Sequence, residues 1–187
     1  MENLSNILIN GTFYDIMQIL TKKKGKVKMK ERYQSKVVVF LVLTREVNGK
    51  KQILLQERCN TGYMDGQYDM ACSGHLEKGE SMATAVIREA REEIGIEIDE
   101  KDLKMVCLIH PYEQDYINVF FEVQRYKGVP EIKEKEKCDN LQWFDINKLP
   151  ENTIVRNRNV IENIKLGIIY DDDNFTHQKM EGNKQCN

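Results

Sequence analysis

The longest apolar run in the chain, VVVFLVLT, lies within residues 36–47. It is rich in β-branched residues and long enough for a buried strand. Asn48-Gly49 then reads as a tight hairpin turn into a second strand over Gln52–Arg58. A polar loop, NTGYMDGQYD, leads to a short strand at Met70–Ser73. From Ser81 to Ile94 the period changes: Ala83, Val86, Ile87, Ala90 and Ile94 recur at three- and four-residue steps, the stripe of an amphipathic helix. Strands follow around Leu103–Ile109, Ile117–Gln124 and Leu141–Phe144, and a last helix over Glu151–Lys165. Strands interleaved with two helices predict an α/β protein, a mixed β-sheet sandwiched between helices.

A different side of the first helix carries Glu89, Glu92 and Glu93. Glu89 and Glu93 stand one turn apart with Glu92 adjacent, so three carboxylates crowd one patch and repel one another unless a cation answers them. Oxygen ligands at this density suit a hard divalent ion, Mg²⁺ or Mn²⁺, which leaves positions free for substrate phosphates. Ahead of the helix, Gly74 and Gly79 bracket a tight loop in which a backbone carbonyl can face the same ion, glycine being expected there for its unusual dihedrals. An isolated Glu-x-x-Glu-Glu is usually a solvated helix face. Here it belongs to GHLEKGESMATAVIREAREEIGI, residues 74–96, which follows Gly-x5-Glu-x7-Arg-Glu-U-x-Glu-Glu-x-Gly-U with U apolar. A chance match to its seven fixed residues in one window is on the order of one in a hundred million.

The stretch is identified as the signature of the Nudix hydrolases, complete at every fixed position, with resemblance to the family from about Lys36 to Leu166. The resemblance implies the Nudix fold, an α/β/α sandwich. It further implies that Glu89, Glu92 and Glu93 ligate metal with the Gly74 carbonyl, while Glu80, Arg88 and Gly95 have structural roles in the motif. The metal would neutralise a diphosphate and lower the pKa of an attacking water, with Glu93 or Glu92 as general base. Glu134, in the charged run EIKEKEKCDN that also holds Glu136, is a further metal-ligand candidate by resemblance to an acidic loop in related enzymes.

Composition narrows the partners. The chain has 187 residues, 41% of them hydrophobic, which suits one domain with a sizeable core. A net charge of -2 gives no general attraction for nucleic-acid polymers or membranes, so a small-molecule nucleotide must be gripped locally. Five cysteines, Cys59, Cys72, Cys107, Cys138 and Cys186, are odd in number and lack a Cys-x-x-Cys pair, which argues against a disulfide framework or zinc site and for a cytoplasmic setting. No stretch reads as a transmembrane span. The domain is expected over 36–170, after an N-terminal extension, 1–35, and before a polar tail, 171–187. Within the extension, Lys22-Lys23-Lys24-Gly25 ahead of Met29 admits two readings: a native start at Met29, or a true N-terminal helix over Phe13–Leu20.

Around the motif, Arg58 is placed to reach a phosphate or to make a surface ion pair, and Tyr63, Asp65 and Tyr68 to frame a nucleobase or to serve the turn. His75 is a further phosphate candidate. Cys72 raises an isopentenyl diphosphate isomerase alternative, since some such enzymes share the fold and use a cysteine ahead of an altered motif; here the motif is unaltered. Pro111 resembles a marker of ADP-ribose hydrolases and the adjacent Tyr112 one of dinucleoside polyphosphate hydrolases, so neither decides. The surroundings of the motif look most like small bacterial Nudix proteins acting on nucleoside triphosphates, giving a nucleoside monophosphate and pyrophosphate. A rival of another class is a nucleotide-sensing Nudix domain without turnover. Many relatives are dimers, so a homodimer is among the expected assemblies.

Overall fold

The first strand, β1 (Lys36–Val47), is the axis of the sheet. A computed structural model describes residues 32–111 and 114–172, and those from Gln34 onward belong to one compact unit. The two readings of the leader, Met29 and Phe13–Leu20, lie outside the described residues. β1 is apolar throughout its centre because both of its faces are covered. Val39, Leu41 and Leu43 enter one core cluster while Phe40 and Val42 enter the other.

β2 (Lys50–Arg58) returns antiparallel through Asn48 and Gly49, whose positive φ values of 52° and 73° fit the twist of a two-residue hairpin. The strand expected at Met70–Ser73 is two strands. β3 (Tyr68–Met70) pairs with β2, and β4 (Cys72–His75) pairs with the first half of β1. The chain changes partners at Ala71, which is fully buried. One edge of β1 is thus divided between β4 and β2, and its other edge pairs in parallel with β6 (Tyr116–Val123). β5 (Lys104–Ile109) joins β6, β7 (Cys138–Asp145) joins β2, and β8 (Tyr170–Asp171) adds a parallel pair on β5. The result is a mixed sheet of eight strands. β8 escapes a periodicity analysis because two residues carry no period.

Helix α1 (Met82–Ile94) begins at Ser81, whose hydroxyl accepts from the Thr84 N–H, and ends at Gly95, with φ 70°. Its buried residues are Ala85, Val86, Ala90 and Ile94, so the packed stripe centres on Ala85 rather than Ala83. Helix α2 (Val155–Leu166) starts later than expected, because Thr153 turns back on Pro150 through both its N–H and its hydroxyl. α1 packs in the cluster with Val39 and Leu41, and Val160 and Ile161 of α2 pack in the one with Phe40 and Phe120. The sheet is therefore sandwiched between the helices.

α2 is also tied to the sheet by one buried charge. Asp69, 2% exposed, accepts from its neighbour Met70 N–H (2.8 Å), from Arg58 Nη1 (3.0 Å), from Arg156 Nη2 (3.0 Å) and from Asn157 Nδ2 (2.8 Å). Removing that carboxylate strands two cations and a buried amide. Asp69→Ala is expected to lower unfolding free energy by about 3–5 kcal/mol in urea titrations, and a loss under about 1 kcal/mol would contradict this role.

Candidate active site

Strand β4 and helix α1 meet closely at Gly74. A Cβ built on Gly74 would overlap the carboxylate of Glu89. Gly74 is an ordinary strand residue opposite Val39, so the expectation that it needs unusual dihedrals is corrected: a side chain there would push the Glu89 carboxylate aside. Gly79, with φ 95°, does hold the left-handed turn expected of this loop.

Arg88 fastens the loop to the helix. Its guanidinium donates to both oxygens of Glu80 (Nη2 to Oε1, 2.9 Å; Nε to Oε2, 3.2 Å) and to the His75 carbonyl (3.2 Å), while Glu80 accepts from the Glu77 N–H (2.7 Å). These bonds hold Glu80 below the usual carboxylate range. Arg88 also donates to Glu89 (2.6 Å) and Glu92 (3.3 Å).

Glu93 lies deeper. Its Oε2 accepts from the Ser73 N–H (3.2 Å), and burial pushes its carboxyl up to about 7, aided by the nearby charges of Glu89 and Glu134. Glu89 is raised for the same leading reason, burial, with Glu92 and Glu134 adding repulsion. Glu92 projects outward, its side chain 57% exposed.

Glu134 reaches this group through the end of α1. The last helix carbonyls need donors, and the loop after β6 supplies them: Lys133 N–H donates to the Glu93 carbonyl (3.0 Å) and Glu131 N–H to that of Ile94 (3.1 Å). Glu134, so anchored, pairs with Lys137 (3.0 Å). The Glu136 backbone carbonyl accepts from Asn60 and from the Cys59 thiol, and its charge acts on Lys137. A cleft of about 220 Å³ is lined by Gly74, Glu93, Glu134, Arg58, Lys137 and their neighbours.

Among the described residues, no three His, Cys, Asp or Glu side chains converge tightly enough to hold a metal ion in this arrangement, the carboxylates of Glu89 and Glu92 being engaged by Arg88. The donor set nevertheless fits a hard divalent ion. Burial raises Glu89 and Glu93, and the charge of Glu134 beside both adds to that cost, which is the condition that a cation such as Mg²⁺ or Mn²⁺ relieves.

Arg58 stands between this cleft and a second cavity of about 420 Å³, and it lines both. Its guanidinium is held by Asp69, the Tyr63 carbonyl (2.9 Å) and the Thr61 hydroxyl (3.1 Å). Tyr63, half exposed, lines the larger cavity beside Val38, Phe40, Tyr116 and Arg156. Tyr68 does not. It is 8% exposed, packs edge-on against Phe144, and its hydroxyl accepts from Asn140 Nδ2 (3.0 Å), so its expected place beside a base is corrected to the core. Asp65 caps its own loop through Thr61 and Gly62. His75 is exposed at the mouth of both cavities. Cys72 is fully buried, with its thiol pushed well up by burial, a poor setting for an isomerase cysteine. Tyr112 lies outside the described residues.

Sequence reasoning passed over Ser73, Lys137 and Arg156. Ser73 acts through its backbone, which no side-chain pattern announces. Arg156 was readable only as a surface cation until α2 was seen to face Asp69. Asp69 itself, an acid in the last residue before an apolar MAC run, was the available signal.

Gly74→Ala should displace the Glu89 carboxylate and lower phosphoanhydride hydrolysis about a hundredfold with an unchanged circular dichroism spectrum. Near-normal turnover in that variant would mean that the close approach of Glu89 to β4 is dispensable.

The NUDIX domain model matches residues 33–164. Among solved structures, the chain is similar to a MutT NUDIX hydrolase from Burkholderia pseudomallei (TM-score 0.60, 22% identity, 69% of this chain and 97% of that one). It is similar also to the NUDIX domain of Shewanella oneidensis NrtR complexed with ADP ribose (TM-score 0.56, 14% identity, 87% and 97%). A C. elegans Ap4A hydrolase binary complex matches at TM-score 0.51 with 16% identity, over 69% of this chain and 96% of that one. Identities this low speak for the fold, whereas the domain match covers most of the sequence: the chain belongs to the Nudix family.

Proposed function

We propose that the protein is a nucleoside triphosphate pyrophosphatase, dependent on Mg²⁺ or Mn²⁺, that releases a nucleoside monophosphate and pyrophosphate. One observation carries this reading. The carboxylate cleft, suited to a metal and a polyphosphate, shares Val38, Arg58, Ser73 and His75 with the aromatic-walled cavity of about 420 Å³. That volume is in the range that holds a small organic ligand, so one molecule can place a phosphate chain in the first and a flat group in the second. Neighbours that bind ADP ribose or are named for Ap4A hydrolysis make those the competing substrates.

Glu89, Glu92, Glu93, Glu134 and the Gly74 carbonyl are the groups that would hold the metal. When bound, it would supply charge neutralisation of the diphosphate and a more acidic water. Glu93 is the proposed base. It lines the cleft, and with Oε2 steadied by the Ser73 N–H it is poised to take the proton of a water that adds to phosphorus as the bridging P–O bond breaks. Glu92, outward and paired with Arg88, is the weaker base candidate and the more mobile ligand. Arg58 and Lys137 are placed to meet phosphate oxygens. Arg88 and Glu80 hold the loop and helix together.

The test is hydrolysis with Mg²⁺ across nucleoside triphosphates, ADP-ribose, dinucleoside polyphosphates and nucleotide sugars. A triphosphate is expected to give the highest kcat/KM, with Glu93→Gln lowering kcat by about a hundredfold or more. Preference for ADP-ribose or a dinucleoside polyphosphate would replace the substrate assignment. Saturable binding without turnover of any member would identify a sensor instead, and an unchanged rate in Glu93→Gln would remove that residue as base.

A further inference from the structure

Strand β6 directs Ile117, Val119, Phe121 and Val123 to the α1 side of the sheet, and Asn118 and Phe120 to the α2 side. Phe120 behaves as this apolar face requires, stacking on Phe40 with centroids 4.7 Å apart. Asn118 does not. It sits between Val38 of β1 and Ile109 of β5 in the register of the sheet, and it is 6% exposed.

Two other buried asparagines are engaged: Asn157 Nδ2 donates to Asp69 and Asn163 Nδ2 to Asp171, both at 2.8 Å. The Asn118 side chain has no hydrogen-bond partner among the described residues. Yet among the described residues no fully occluded side-chain nitrogen or oxygen is left unpaired. The Asn118 amide atoms therefore reach the cavity of about 420 Å³ that Asn118 lines with Phe40, Tyr63, Tyr116 and Arg156. A polar group kept this dry and left open to a cavity is a recognition group awaiting a complement.

We propose that Asn118 reads the nucleobase of the substrate, pairing its carboxamide with a donor–acceptor edge of a base held in this cavity beside Tyr63 and Tyr116. The inference rests on the nucleotide reading above and specifies which cavity takes the base and which side chain selects it. The complement must be flat, because Tyr63 and Tyr116 supply ring surfaces, the Phe40 ring being already covered by Phe120 and Arg156. It must also offer a hydrogen-bond donor beside an acceptor, because an amide presents both. Neither a ribose nor a phosphate meets both demands, whereas a nucleobase does. Arg156, over the Phe40 ring at 4.4 Å and held by Asp69, fixes the far wall.

Titration calorimetry with the four nucleoside 5′-monophosphates and ribose 5-phosphate tests this. Wild-type protein is expected to bind at least one monophosphate about tenfold or more tightly than ribose 5-phosphate, and Asn118→Leu to reduce that ratio about tenfold. An unchanged ratio in the variant, or no preference for any base in the wild type, overturns the proposal. Should Asn118→Leu fold poorly, the wild-type side-chain amide resonances of Asn118 decide: they are expected to shift with the preferred monophosphate and stay still with ribose 5-phosphate, and resonances unmoved by all four monophosphates overturn it. Neither measurement needs turnover. Triphosphate hydrolysis with an indifferent Asn118 would sink this assignment alone, while base-dependent binding through Asn118 without triphosphate hydrolysis would sink only the pyrophosphatase reading.

Discussion

Carboxylates crowded onto one flank of α1 and pressed against the backbone of β4 are the condition around which this fold is arranged. Glu89 lies against Gly74, where a side chain on β4 would push its carboxylate aside, and Glu93 is buried with the Ser73 N–H as its donor. Each is charged more reluctantly than a free carboxyl, chiefly because water has been removed from it. The opposite flank compensates, since Ala85, Val86, Ala90 and Ile94 bury against Val39, Leu41 and the α1 face of the sheet. The helix is thus held by its apolar side in a position that its acidic side resists.

Three connections keep that arrangement from relaxing. Arg88 and Glu80 lock the glycine loop over the start of the helix. The backbone of Glu131 and Lys133 satisfies the carbonyls at the helix end and in doing so brings Glu134 to Glu93. The division of one β1 edge between β4 and β2 sets Ser73 and Gly74 beside the cleft while Arg58, at the end of β2, faces it from the other strand. Asp69 then fastens Arg58 and Arg156 to one anchor, so that the wall common to both cavities is fixed from beneath. Cations at that wall and acids across the cleft give a polar groove suited to a charged, extended substrate, with ring surfaces at one end.

Legibility in the sequence followed the physics of each part. The motif was readable because seven residue types at fixed spacing cannot be rearranged without losing the helix face or the loop. β1, β2, β6 and α1 were readable because long apolar periods leave little choice of element. The switch of partners at Ala71 was not, since one buried alanine between two short strands looks like a single strand. Gly74 was chosen for the wrong reason: conformational freedom is a local property, whereas contact with Glu89 depends on tertiary packing. Tyr68 and Tyr63 are both loop-side tyrosines in the sequence, and only the register of β3 on β2 sends one to the core and leaves the other at the cavity. Asn118 had only a faint signal, an amide between Tyr116 and Phe120 in the mixed phase of YINVFFEV, with no local feature to say what it faces.

The burial of Glu93 makes the central claim measurable. A carboxyl raised to about 7 in the folded protein, against 4.5 as its ordinary value, contributes its full stability only below about 4.5 and loses it as pH rises through 7. Glutamine mimics the protonated form at every pH. With a chelator present, the unfolding free energies of wild-type protein and Glu93→Gln should coincide near pH 4.5 and separate as pH rises. By pH 8 the variant should be the more stable by roughly 1–3 kcal/mol. A difference that is constant with pH, or a variant less stable at pH 8, would contradict the account of a carboxylate held in place against its own preference.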